Sequence, residues 1–107
     1  MMVEIRTYTL KPGTRPEFHR LMAEISVPML RRWAVDVVRA APSLHDADSY
    51  VLLRAYASLA DRQDSQDRFY GSDEWKLGPR EPILALINTY TSVVLELDEA
   101  VVAGLRD

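Results

Sequence analysis

Arg6 and Tyr8 stand two apart in VEIRTYTL, Arg54 and Tyr56 two apart in YVLLRAYA, and Tyr90 lies in the run NTYTSVVLEL. A phenol beside a guanidinium can hold a carboxylate or an enolate through charge-assisted hydrogen bonds. On that reading Arg54 and Arg6 bind an anionic oxygen and Tyr56 or Tyr8 donates to it. His45, beside Asp46 and Asp48 in a polar loop from Ser43 to Ser49, is the candidate acid or base. The predicted catalytic set is therefore His45, Tyr56 and Arg54, with Arg6, Tyr8 and Tyr90 binding substrate. Plainer readings stand beside these: Glu4 pairs with Arg6 or Arg54 inside an interface where the tyrosines only pack, and His45 is a solvated loop residue. His19, on the flank of a helical stripe, reads as a surface histidine.

Other chemistry is poorly represented. The chain has no cysteine, which removes disulfides, thiolate catalysis and zinc-thiolate sites together. Its two histidines are far apart, and the acidic pairs Asp73-Glu74 and Asp98-Glu99 read as first-turn charges that complement a helix dipole, so no metal is expected. No G-x-S-x-G, P-loop or G-x-G-x-x-G occurs, and no cofactor is expected. With 13 basic against 16 acidic residues, the net charge of -3 lacks the excess that phosphate neutralisation requires, so nucleic acid is not expected as a partner. Glu4 and Arg6 interrupt the start where a secretory signal needs an apolar core, and no run approaches the roughly 18 apolar residues of a membrane span. The expectation is a cytoplasmic protein whose 107 residues form one domain, 1–107.

The elements that must position these side chains follow from periodicity. Val3 to Leu10 alternates and stops at Lys11-Pro12-Gly13, which predicts a strand. Thr14 and Glu17 have capping-box spacing, and Phe18, Leu21, Met22, Ile25 and Met29 share one helical face, with a kink or restart expected at Pro28. Ala34 to Ala41 and Tyr50 to Ala57 read as the second and third strands, and Ser58 caps a charged helix to about Tyr70. Ser72 caps a short helix around Asp73 to Leu77, another piece runs from about Glu81 to Ile87, and Asn88 to Leu97 is the fourth strand, followed by a terminal turn or two from Asp98 to Leu105.

The order βαββαβ predicts an α+β, ferredoxin-like domain: a four-stranded antiparallel sheet with both long helices on one face. Sorting by side gives an aliphatic set, Val3, Ile5, Val51, Leu53, Ala55, Val93, Leu95 and Leu97, which suits the helices. The other set, which includes Glu4, Arg6, Tyr8, Arg54, Tyr56 and Tyr90, is then left uncovered, too apolar for free solvation and too polar for an ordinary core. Two such sheets packed across a twofold axis would close a dimeric α/β barrel around a cavity for a small hydrophobic or aromatic ligand. No histidine falls in this set, so haem is not expected there.

VEIRTYTLKPGTRPEF resembles the opening of the NIPSNAP family, a strand of pattern V-E-x-R-x-Y-x-L-K-P-G leading into the first helix; YVLLRAYASLADR and DEWKLG are similar to later family segments. The resemblance implies the dimeric α/β-barrel superfamily, whose members include cofactor-free monooxygenases and isomerases as well as uncharacterised proteins. It also implies a departure, since many relatives carry His and Trp where this chain has Leu52 and Arg54. Finally, FYGSDEWKLGPREPIL crowds turn residues around three aromatics. Either Trp75 and Arg80 form a rim over the cavity, adding to the substrate-binding set, or Phe69 and Trp75 plug the core while Asp73 or Glu74 caps Arg80.

Overall fold

In the computed structural model, which describes residues 1–106, strand β1 (Met2–Leu10) ends in a turn where Gly13 takes φ 79°. Helix α1 (Arg15–Leu21) widens into a π-helical segment, Met22–Ser26, before α2 (Val27–Arg32). Pro28 has no N–H for the carbonyl of Glu24, and the chain meets the expected disruption one turn early, with the Val27 N–H donating to the Met22 carbonyl. Ala34, at φ 60°, reverses the chain into β2 (Asp36–Pro42), which starts two residues later than the valine run suggests. Then follow β3 (Ser49–Tyr56), α3 (Leu59–Tyr70), α4 (Asp73–Leu77), α5 (Arg80–Leu84), β4 (Ile87–Glu96) and α6 (Glu99–Leu105).

All pairings are antiparallel, in the order β2-β3-β1-β4, so the fold is the ferredoxin-like α+β arrangement. The register sets Glu4 opposite Arg54, Arg6 opposite Ser92, and Tyr8 between Tyr50 and Tyr90. The capping box does not form. Thr14 donates its hydroxyl to the Lys11 carbonyl, and Glu17 is taken by Arg20. Ser58 and Ser72 do cap, accepting from the backbone N–H groups of Asp61 and Trp75.

The two faces of the sheet are exchanged relative to the sequence expectation. Tyr8, Leu10, Tyr50, Leu52 and Tyr56 pack beneath the helices with Phe18, Met22, Leu30, Phe69 and Trp75, and Glu4 and Arg54 are fully buried there. The aliphatic set lies on the other side. Helix α6 covers one end of it, setting Val102 against Val3, Val38, Leu53 and Ala55, while Val93 and Leu95 stay 56% and 43% exposed. The reason is α3. Its sheet-facing stripe is Arg62, Gln66 and Tyr70, and those polar groups require polar partners, which only the Glu4 and Arg54 side supplies.

Candidate functional site

The site grows from one cross-strand pair. Glu4 on β1 and Arg54 on β3 are direct neighbours on the helix-covered face, and Arg54 donates from Nε (2.8 Å) and from Nη2 to Glu4 Oε1. Helix α3 lies over them, and its spacing of four brings down Arg62, whose Nη2 donates to Glu4 Oε2 at 2.5 Å, and Gln66, whose amide reaches both carboxylate oxygens at 3.2 Å. Arg6, two residues along β1, adds a longer contact at 3.4 Å. One carboxylate thus faces three guanidiniums. Burial works against the charge on Glu4, but Arg54, the hydrogen bond from Arg62 and the charge of Arg6 outweigh it and hold the carboxyl at about 2. Burial likewise works against Arg54, yet the surrounding phenols and Glu4 keep its guanidinium above its ordinary value. Arg62 Nε is buried without a hydrogen-bond partner.

At the end of the stripe, Tyr70 joins this cluster to a crevice. Its hydroxyl oxygen accepts from Arg54 Nη1 at 2.7 Å and, more weakly, from Arg6 Nη1 at 3.5 Å. Its ring is held edge-on by Phe69 and Trp75, at centroid distances of 5.0 and 5.3 Å. The crevice, about 70 Å³, is bounded by Arg6, Tyr8, Tyr70, Trp75 and Tyr90, with Ile83, Leu84 and Ile87 completing the wall. Arg6 is steadied at its edge by Ser92 Oγ (3.0 Å) and lies 4.9 Å over the Tyr90 ring. Burial, reinforced by the neighbouring Tyr70 and opposed by Arg6 and Arg54, pushes the Tyr8 phenol up to about 12, so Tyr8 is neutral at physiological pH. A positively charged, aromatic-lined notch of this kind has the chemistry to hold an anionic oxygen.

The structure therefore gathers Arg6, Tyr8, Tyr90 and Trp75 around one crevice, with Arg54 one hydrogen bond behind it. Tyr56 lies further along the same face, its hydroxyl accepting from Gln66 at 3.4 Å, and borders a separate cleft of about 490 Å³. Two residues are not brought in. His45 is highly exposed in its loop, tied to Ser43 Oγ (2.8 Å) and Asp46 (3.2 Å), and lines a groove on the open side of the sheet with Thr7 and Thr9. It makes no common site with Arg54 and Tyr56. Arg80 points to Glu81 at 2.8 Å, and neither Asp73 nor Glu74 caps it; Glu74 instead accepts from Arg32 and from Trp33 Nε1. Trp75 is a core side chain, buried against Phe69 and Tyr70, so the rim reading of Trp75 with Arg80 gives way to the plug. His19, although on the helix surface, is hydrogen-bonded to the Tyr50 hydroxyl at 2.7 Å.

Arg62, Gln66 and Tyr70 were invisible to a search for catalytic motifs. Their signal is a helix whose i, i+4, i+8 stripe is polar where a sheet-packed helix is ordinarily apolar. Among the described residues, no group of His, Cys, Asp and Glu can hold a metal ion, and no helix is long and apolar enough to cross a membrane.

The NIPSNAP family model matches residues 3–97. An uncharacterized NIPSNAP domain protein from Burkholderia xenovorans is similar in structure, with TM-score 0.80 and 23% identity over 92% of this chain and 96% of that one. A NIPSNAP family protein with unknown function from Agrobacterium tumefaciens gives TM-score 0.81 and 24% identity over 89% and 86% of the two chains. A Nitrosomonas europaea protein named "putative antibiotic biosynthesis monooxygenase" shares the fold at TM-score 0.67 and 16% identity, over 90% and 97%. No curated protein matches the chain in sequence.

Proposed function

Since the chain belongs to the NIPSNAP family, we propose that it is a homodimeric small-molecule-binding protein that takes the anionic oxygen of a small hydrophobic or aromatic metabolite into the Arg6, Tyr8, Tyr70 and Tyr90 crevice. The observation that carries this reading is the charge imbalance: a single buried carboxylate, Glu4, stands against Arg6, Arg54 and Arg62. Two positive charges remain to be balanced, and Arg6 reaches the crevice wall. At about 70 Å³ the crevice takes the charged end of a ligand, well below the several hundred Å³ that enclose a whole drug-sized molecule. The apolar body would lie outward over Tyr90 and Leu84, which are 55% and 40% exposed.

The same electrostatics would stabilise an enolate or phenolate, the species through which a cofactor-free monooxygenase or isomerase works, and the shared fold with a protein named for monooxygenase activity supports that class. A second reading, a non-catalytic ligand- or protein-binding dimer, is favoured by one specific fact: His45 lies away from the crevice, and Glu4 is too acidic to serve as a base near neutral pH. The dimer itself is supported by the aliphatic residues left uncovered on the open face of the sheet, Val93 and Leu95 exposed and Ile5 and Val51 half-buried, the kind of patch that marks an interface. A barrel closed through that face would have an aliphatic interior, with the anion site between sheet and helices in each protomer.

Titration with benzoate, followed by tryptophan fluorescence, tests the site. Binding that is lost or weakened about tenfold in Arg6→Gln is expected, as for a charged hydrogen bond in a partly buried crevice. Equal affinity in the variant, or no binding of small aromatic anions by the wild type, would refute it.

A further inference from the structure

We infer that Tyr70 is the hydrogen-bond donor of the crevice, and that the ligand class it selects is one presenting a single anionic oxygen, a phenolate or enolate. The inference rests on the anion-site reading above. A tyrosine hydroxyl has one proton to donate and two lone pairs to accept with. Both lone pairs of Tyr70 are engaged by guanidinium N–H groups, Arg54 at 2.7 Å and Arg6 at 3.5 Å. Among the described residues the Tyr70 proton has no acceptor, and the space this side chain borders is the crevice. Phe69 and Trp75, both edge-on to its ring, fix the ring so that the hydroxyl cannot swing away to find one.

Arg6 supplies the second contact. With Nε on Ser92, Nη1 on the Tyr70 hydroxyl, Nη2 on Glu4 and the ring of Tyr90 beneath it, this guanidinium lines the crevice, and the second N–H of Nη1, next to the Tyr70 hydroxyl, is left for a ligand oxygen that takes the Tyr70 proton in a hydrogen bond. One phenol donor and one guanidinium edge converge on one oxygen. A carboxylate brings a second charged oxygen that must also be desolvated, in a crevice whose remaining wall is Ile83, Leu84, Ile87 and the rings of neutral aromatics. A phenolate or enolate has no second oxygen to leave unpaired. A neutral phenol entering the site would release its own proton to solvent and bind as the anion.

4-Nitrophenol is a suitable probe, because its absorbance reports which form is bound. Wild-type protein is expected to bind it as the phenolate, more tightly than benzoate, and Tyr70→Phe to weaken binding by about tenfold or more, as loss of one hydrogen bond to a charged oxygen would. If Tyr70→Phe binds the phenolate like the wild type while Arg6→Gln loses it, the donor role is refuted and the anion site stands. If benzoate binds to the wild type and 4-nitrophenol does not, the single-oxygen class is refuted and the site again stands. Binding of neither removes both. Should Tyr70→Phe fail to fold, because Arg54 loses an acceptor, wild-type protein with 13Cζ-labelled tyrosine decides: 4-nitrophenol must shift the Tyr70 resonance, and an unchanged resonance overturns the inference.

Discussion

Glu4 is the residue on which this protein turns. A buried ion pair ordinarily contributes little, because desolvating both charges costs about what their attraction returns. Removing one partner is another matter. Glu4→Gln would leave Arg54 fully buried and Arg62 and Arg6 half-sheltered, with no carboxylate among them. The expected cost is about 3 to 5 kcal/mol in urea unfolding, and a change below about 1 kcal/mol would mean the cluster is not held by this charge. The same carboxylate makes stability sensitive to acid. It ionises at about 2 in the folded protein and near 4.5 when unfolded, so its contribution is complete above pH 4.5 and disappears as pH falls from 4.5 toward 2. At 1.36 kcal/mol per pH unit this amounts to about 3 kcal/mol, and Glu4→Gln should lose this share of the acid slope while keeping that of Glu17, Asp36, Asp46 and Glu74, which are also held below their ordinary values. Tyr8 acts in the opposite direction. Its phenol is raised from 10 to about 12, so the stability it confers holds below pH 10 and is lost as pH rises from 10 through 12.

Among the elements, the helix starts show how local signals succeed and fail. Ser72 both caps α4, accepting from the Trp75 N–H at 3.2 Å, and donates to the Phe69 carbonyl at 2.6 Å, joining the end of α3 to the start of α4. Ser72→Ala is expected to cost about 1 to 2 kcal/mol by thermal or urea unfolding. Thr14 has the better motif on paper but makes no cap, because Arg20 takes Glu17 and Lys11 takes the threonine hydroxyl. Thr14→Ala should therefore cost only about 0.5 kcal/mol; equal losses in the two variants would contradict this assignment of the caps. The stripe of α3 matters more than its ends. Because Arg62, Gln66 and Tyr70 recur every fourth residue, a single helix delivers two donors to Glu4 and one acceptor to the guanidiniums.

At the scale of the whole molecule, one side of the sheet carries the polar cluster under helices, and the other, beyond α6, leaves Val93 and Leu95 in water beside the threonines Thr7, Thr9 and Thr91. Val93 and Leu95 already contact water in the protomer, so replacing them costs the isolated fold little. Sedimentation at micromolar concentration should give a dimer for the wild type and a monomer for Val93→Glu with Leu95→Glu, each with unchanged far-ultraviolet circular dichroism. A wild-type monomer would sink the dimer proposal. Because the crevice lies on the opposite face of the sheet, binding of small anions should survive dissociation.

The four strands and intervening helices of the βαββαβ frame, the Ser58 and Ser72 caps and the break near Pro28 were legible in the residues, because period, turn chemistry and a missing N–H act over a few positions. So was the list Arg6, Tyr8, Arg54, Tyr90 as a set sharing one side, since alternation along a strand is obligatory. Which side was not. Alternation sorts residues into two faces without saying which one a helix will cover, and that choice followed from how Arg62 and Gln66 of α3 match Glu4 across 58 and 62 positions of chain while Tyr70 meets Arg54. Only the tertiary structure could decide it, because a polar helix stripe finds its lowest free energy on the one sheet face able to satisfy its buried charges. The same packing removed His45 from Arg54 and Tyr56, turned Trp75 into the core and brought Tyr70 beside Arg6.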